Sequence, residues 1–137
     1  MAVNATAWSP DGAAFPDWIE LFNSGDAAID LGGVSLSDEL DAPLKSPLPE
    51  GLSLEPGAFL VLEASGADVP SGTALTFKLS GGGEELGVFT PSGVPVHLLR
   101  YGPQEEDFSA ALAVDGDRDA GWVYVRGGSP GLPNAGD

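Results

Sequence analysis

The stretch DWIELFN, residues 17–23, decides how this chain folds. Apolar and polar residues alternate in it, so an extended strand places Ile19 and Leu21 on one face and Glu20 on the other. The residues NSGD at 23–26 follow, and these residue types form tight turns. The stretch therefore predicts a β-strand that buries Ile19 and Leu21 and then ends in a turn.

Short runs of the same kind continue along the chain, separated by its 20 glycines and 12 prolines. They include residues 75–79, which we predict to be a strand. Only residues 108–114 could form a helix, and they lack a C-terminal cap, while the acidic and proline-rich residues 37–49 are predicted to form one long loop. About eight or nine short strands with frequent turns favour an all-β fold, a sandwich of two antiparallel sheets. The predicted core is Ile19, Leu21, Leu36, Leu60, Leu62, Phe77 and Leu79.

A series of motifs accompanies the first strand in a fixed order. They are IDLGG at 29–33, LSD at 36–38, LEPG at 54–57, FKLS at 77–80, GEEL at 83–86, WVY at 122–124 and SPGLPN at 129–134. Together with DWIELFN they resemble the lamin-tail domain (LTD) family, in its bacterial type because no heptad-repeat rod accompanies them. The resemblance implies a single immunoglobulin-like domain spanning residues 1–137, and the family has no shared catalytic residues to carry over.

The start of the chain departs from this family pattern. Members that resemble it have an apolar strand leading into the residues that match MAVN, residues 1–4. We therefore expect the first strand to be truncated at Met1 and a neighbouring strand to be left with an open edge. Because an open edge recruits another strand, self-association through sheet edges is one predicted behaviour.

Composition narrows the possible partners and locations. The chain carries 21 acidic and 5 basic residues, a net charge of −16, so its surface repels the phosphate backbone of nucleic acids. It has no cysteine for a disulfide or a thiolate metal site, and its apolar runs are too short for membrane insertion. An acidic, lysine-poor surface suits the salt and calcium outside cells, which predicts an extracellular or cell-surface location; chance composition is the alternative.

Possible catalytic features each have a structural alternative. GGSPG at 127–131 matches a nucleophile elbow around Ser129, but the prolines that follow fit a closing turn and not the required helix. His97 is the only histidine, and nothing places a serine or an acid beside it. Glu20, set between apolar residues, could act as an acid with a raised pKa, or it could accept hydrogen bonds from a neighbouring turn. We favour the structural alternatives and predict a protein that is not an enzyme.

Metal binding is the one site that the sequence suggests. Asp115, Asp117 and Asp119 place carboxylates at every second position, as calcium loops do. The EF-hand pattern is not met, because Ala120 and Arg126 stand where glycine and glutamate belong. A weak calcium site is one interpretation, and an ordinary Asp-Gly turn is the other. A second acidic cluster, of Asp38, Glu39 and Asp41, offers a similar calcium candidate.

Three functions therefore remain open. The first is a non-catalytic binding or spacer module of a larger secreted or cell-surface protein, with a protein or glycan partner and with calcium as the only possible cofactor. The second is an assembly element that acts through sheet edges. The third, a remote alternative, is an acid–base hydrolase that uses Glu20 and a second carboxylate that the sequence does not single out.

Overall fold

The structure is a computed structural model that describes residues 1–134. Within that range it contains ten β-strands and one 3₁₀ turn, Arg118–Ala120. The strands are β1 (Asp17–Phe22), β2 (Ile29–Asp30), β3 (Ser35–Ser37), β4 (Ser46–Pro47), β5 (Ser53–Leu54), β6 (Phe59–Ala64), β7 (Glu84–Phe89), β8 (Pro95–Tyr101), β9 (Phe108–Leu112) and β10 (Trp122–Arg126). The all-β prediction is confirmed. The strand count is slightly higher than predicted because two-residue strands such as β4, inside the predicted loop, leave no alternation to detect.

The strands form one larger sheet and several two-stranded ones. The larger sheet has four strands in the order β4-β3-β7-β8, and the pairs β1-β6, β2-β5 and β9-β10 form the others. All of these pairs are antiparallel. Leu36 and Leu86 of the larger sheet share one apolar cluster with Leu54 and Leu62 of β5 and β6. The core therefore lies between the layers, as a sandwich requires.

The buried residues agree with most of the predicted core. Leu36, Leu62, Phe77 and Leu79 are buried, as predicted. The prediction was wrong for Ile19, Leu21 and Leu60, which are only partly buried although they pack against the core. Ile19 and Leu21 line an open cleft, and Leu60 lies directly opposite Leu21 in the β1–β6 ladder.

Two segments differ from their predicted secondary structure. Residues 75–79 are not a strand. Their backbone instead bonds to the end of β6 and the loop after it: the Leu75 N–H donates to the Glu63 carbonyl, and the Phe77 carbonyl accepts from the Gly66 N–H. The alternation of apolar and polar residues at 75–79 therefore predicted correctly which side chains are buried, but it did not show whether the segment pairs in a regular β-ladder. Residues 108–112 form strand β9, because pairing with β10 satisfies their backbone and a short uncapped helix would not.

Asp107 ties the start of the chain to the β9–β10 hairpin. Its carboxylate accepts hydrogen bonds from the backbone N–H groups of Ala5, Thr6 and Ala7 at 2.8, 2.9 and 3.2 Å, and from the Thr6 hydroxyl at 2.6 Å. The Thr6 hydroxyl and these amides lower the pKa of the Asp107 carboxyl to about 2. Its φ of 61° lies in the left-handed region, which Asp and Asn tolerate better than most residues.

Asp107→Asn is expected to lower the melting temperature at pH 7. Asparagine tolerates the same backbone conformation, so the variant mainly removes the charge that strengthens these hydrogen bonds. Because the folded pKa of about 2 lies below the ordinary 3.8, the stabilisation is complete above roughly pH 4 and is lost as the pH falls towards 2. Thermal melts between pH 7 and pH 2 should show that the difference in melting temperature between wild type and variant becomes smaller as the pH falls. Glu106→Gln removes a negative charge at the preceding residue and should leave the melting temperature nearly unchanged. An equal fall in melting temperature in both variants would contradict the stabilising role assigned to the Asp107 carboxylate.

Candidate functional site

A cleft of about 590 Å³ lies between β1, β8 and the β9–β10 hairpin. The side chains that give it an apolar lining include Ile19, Leu21, Leu99, Leu112, Trp122 and Tyr124. Trp122 and Tyr124 are two residues apart on β10, so they share one face of that strand. They are 48% and 58% exposed, unusually high for aromatic residues that border an apolar space. The cleft is therefore open to solvent and carries two accessible aromatic rings.

One wall of the cleft is an open edge of strand β1. Met1 occupies only the beginning of this edge: its amino group donates to the Trp18 carbonyl at 2.8 Å, and the Trp18 N–H donates back to the Met1 carbonyl at 3.0 Å. Burial lowers the pKa of the Met1 amino group to about 5, against the opposing charges of Asp17 and Glu20. Met1 thus sits at one end of the cleft in an antiparallel pairing with β1.

Among residues 1–134, no strand lies beside the remainder of this edge. Backbone groups of alternate residues in an antiparallel strand point to opposite sides. Asn23 exchanges its backbone bonds with Gly57 and Ala58, on the β6 side, whereas Trp18 exchanges its bonds with Met1 on the other side. Glu20 and Phe22 are in phase with Trp18, so their N–H and C=O groups point away from β6. No backbone hydrogen bond between other described residues and these groups is present.

Two further features of the lining concern hydrogen bonding. Trp18 is buried and lines the cleft, yet its indole Nε1–H has no acceptor among the described residues. Within the described range, strand β8 pairs with β7 on one side only. The Val96 carbonyl of β8 accepts a bond from the Arg118 guanidinium at 3.3 Å. The lining of the cleft therefore includes one buried N–H donor, the indole of Trp18, without an acceptor among the described residues. The edge of β8 forms a second strand edge beside the cleft.

Carboxylates at the same cleft hold the closing turn of the chain. Glu20 accepts a hydrogen bond from the Gly131 N–H, which is the structural role the sequence favoured for it. Asp115 accepts from the Asn134 N–H at 3.0 Å. Burial raises the pKa of Glu20, and the Asp115 charge adds to this while the Gly131 bond opposes it. The two acids thus serve as acceptors for backbone amides of one turn.

The other residues considered for catalysis, His97 and Ser129, share no hydrogen bond in the part of the chain that the structure describes. His97 lines the cleft, and burial, assisted by the Arg118 charge, lowers its pKa. Ser129 lies in the closing turn, where its carbonyl accepts from Leu132 and its hydroxyl bonds to the Asn134 side-chain oxygen at 3.4 Å. The serine is engaged by its own turn, as the closing-turn interpretation predicted.

The structure does not bring the candidate calcium ligands together. The Asp117 carboxylate accepts from the Asp119 N–H at 2.9 Å and so caps the 3₁₀ turn, while Asp115 bonds to Asn134. Among residues 1–134, no group of three or more His, Asp or Glu side chains is placed to hold a metal ion. In the second cluster, Lys45 pairs with Asp38 at 2.7 Å and with Glu39 at 2.6 Å. Calcium binding at Asp115, Asp117 and Asp119 stays a prediction.

A comparison of two divalent cations tests the predicted calcium site. We expect calcium and magnesium, at equal ionic strength, to raise the melting temperature equally, because both screen the net charge of −16. Thermal melts with millimolar chloride salts would measure this. A larger rise with calcium that Asp119→Asn removes would instead establish a specific calcium site.

The sequence did not point to the residues that make the cleft. In the sequence, Trp122 and Tyr124 fit the ordinary alternating pattern of a strand, and only their exposure in the structure distinguishes them. The truncated first strand expected from the sequence stays a prediction. A pattern of residues reports which face a side chain takes, not which strand lies next to it.

Comparison with known proteins gives one match. The family model described as Lamin Tail Domain matches residues 3–103, from the segment after Met1 to the end of β8. No curated protein and no solved structure matches the chain. Within the described residues, no helix is long and apolar enough to cross a membrane. The β9–β10 wall of the cleft lies outside the matched range.

Proposed function

Because the chain belongs to the lamin tail domain family, whose members are immunoglobulin-like domains, we propose that it is a non-catalytic binding module that uses the cleft. The observation that carries this proposal is the pair of exposed aromatic rings, Trp122 and Tyr124, on an apolar cleft of about 590 Å³. Clefts of this size with an apolar lining and a few polar groups are typical of binding sites. Exposed aromatic residues contribute strongly to binding because they bury large areas at little entropic cost.

A binding role fits the acids of the cleft better than catalysis does. Glu20 and Asp115 each accept a backbone N–H of the closing turn, so one oxygen of each carboxylate is engaged by the fold. The remote hydrolase hypothesis requires an acid and a second carboxylate directed at a substrate. We assign both residues to holding the turn that forms one end of the cleft.

We further propose that the module works outside the cytoplasm, as part of a larger protein. This is supported by the net charge of −16 and the low lysine content, which suit the salt outside cells. Immunolocalisation on intact cells, with and without permeabilisation, tests the location. Signal confined to permeabilised cells would overturn it.

The binding role can be tested with variants of the exposed rings. The double variant Trp122→Ala/Tyr124→Ala should lose binding to peptides or glycans that the wild type retains on an array. Both side chains are largely exposed, so the fold should persist, which circular dichroism would verify. Val69→Ala, at an apolar residue that is 67% exposed and outside the cleft, is the matched control and should bind normally. Binding that survives the double variant, or a wild type that binds no array member, would overturn the proposal and leave a spacer.

A further inference from the structure

We propose that residues 4–8 form a binding site for a carboxylate group, and that Asp107 is the ligand that this chain supplies from within. The site lies apart from the proposed binding function, because neither residues 4–8 nor Asp107 line the cleft. A carboxylate from another molecule takes the same place when the Asp107 side chain leaves it. Such a ligand therefore competes with the attachment of the β9–β10 hairpin to the N-terminal segment.

Four donors from three consecutive residues define the site. The backbone N–H groups of residues 5, 6 and 7 all donate to one oxygen of Asp107, at 2.8, 2.9 and 3.2 Å. The Thr6 hydroxyl donates to the other oxygen at 2.6 Å. Successive backbone N–H groups that converge in this way form a nest, which binds anions. Because both oxygens are engaged, the arrangement matches a planar group with two oxygens, which is a carboxylate.

Asn4 holds this loop in shape without help from Asp107. The buried Asn4 side chain donates to the carbonyls of Trp8 at 2.6 Å and Pro16 at 2.7 Å. Its oxygen accepts from the N–H groups of Ala7 and Trp8, at 3.1 Å each. A site that is already formed costs little ordering when a ligand binds. We therefore expect the nest to persist when its internal ligand is removed.

The backbone at Asp107 indicates that the carboxylate is what the site requires there. Among residues 1–134, Asp107 is the only residue other than glycine with a positive φ, 61°, and glycine adopts this conformation with less strain. Its N–H donates to the Val3 carbonyl at 2.8 Å, and its carbonyl accepts from Gly127 at 2.7 Å. A glycine could make both of these bonds. What aspartate adds at this position is its contact with the nest.

Exposure and charge decide which carboxylate occupies the nest. Ala5 and Thr6 are exposed, so a ligand can reach them. Among the described residues, no lysine or arginine forms an ion pair with Asp107, and the net charge of −16 repels free carboxylates. Asp107 is favoured because its attachment to the chain gives it a high effective concentration. A carboxylate of a partner protein, held nearby by other contacts, gains the same advantage.

Asp107→Gly in the full chain tests the proposal, because glycine suits the backbone and leaves the nest empty. The probe is sodium acetate. We expect acetate to shift the NMR signals of the Ala5, Thr6 and Ala7 amides in a saturable way in this variant and not in the wild type. Acetate should also raise the melting temperature of the variant more than sodium chloride does at the same ionic strength. In the wild type the two salts should have equal effects.

Two further variants serve as controls. Asp107→Asn keeps a side-chain oxygen in the nest, so acetate should bind to it about tenfold more weakly than to Asp107→Gly. Thr6→Val, added to Asp107→Gly, removes the donor to the second oxygen and should weaken acetate binding about tenfold. If Asp107→Gly does not fold, Asp107→Asn is compared with the wild type. Acetate must then raise the melting temperature more than chloride in the variant alone.

Two results would overturn the proposal. Equal effects of acetate and chloride on Asp107→Gly, with no shift of the three amide signals, would show that Asp107 makes a structural contact only. Tighter binding of inorganic phosphate than of acetate, followed on the same amides, would show that the nest does not select a carboxylate. Neither result bears on the cleft, whose binding function is tested by the aromatic variants.

Discussion

Leu62→Ala is expected to reduce the free energy of unfolding by about 2–5 kcal/mol. Leu62 is 0% exposed, and it lies in β6 directly opposite Ile19 within the main apolar cluster. Removing its isobutyl group loses the transfer energy of the buried atoms and leaves a cavity that the surrounding strands cannot fill. Urea unfolding followed by tryptophan fluorescence measures the change.

Leu60→Ala is the matched control for this prediction. Leu60 belongs to the same strand, and its substitution by alanine removes the same atoms, but its side chain is only partly buried. Its loss should therefore be clearly smaller than that of Leu62→Ala. Equal losses would show that the end of the β1–β6 ladder is as well packed as its centre, and would contradict the open cleft beside Leu21.

Gly83→Ala is expected to cost about 3 kcal/mol or more, from an unfavourable backbone conformation and a steric clash together. Gly83 has φ of 98°, which an L residue rarely adopts. A Cβ atom there would lie 2.5 Å from the Tyr101 carbonyl oxygen and 2.9 Å from the Gly102 carbonyl carbon, both backbone atoms that cannot rotate away. The variant should melt at a much lower temperature or fail to fold.

Gly82→Ala separates this effect from the general cost of replacing a glycine. At Gly82 a Cβ atom meets only the Ser80 hydroxyl, at 3.6 Å, which is an ordinary contact. We expect its stability to stay within about 0.5 kcal/mol of the wild type. A large loss at Gly82 and none at Gly83 would contradict the described turn before β7.

The sequence predicted the fold well because its signals are local. Alternation in DWIELFN places Trp18 and Ile19 on opposite faces of β1, and the same reasoning identified Leu36 as buried. Residues 75–79 show the limit of this reasoning. Alternating burial arises whenever an extended segment crosses the core, while a ladder also needs a neighbouring strand in register.

The candidate site was less predictable because it depends on long-range contacts. Asp115, Asp117 and Asp119 have ligand-like spacing, but two of them are engaged by nearby backbone amides, and spacing alone does not report that. Glu20 was correctly assigned to a turn, although the turn lies 111 residues further along the chain. The exposure of Trp122 and Tyr124 depends on which strands stand across the cleft from β10.

Asp107 also has a consequence for synthesis of the chain on the ribosome. Its hydrogen bonds to Ala5, Thr6 and Ala7 join residues 100 to 102 positions apart. The N-terminal segment is made first, but its anchor emerges only after most of the domain has been translated. Contacts of such long sequence separation form late and slow folding. Residues 5–7 therefore stay unanchored while most of the domain is being translated, which is when a chaperone can bind them.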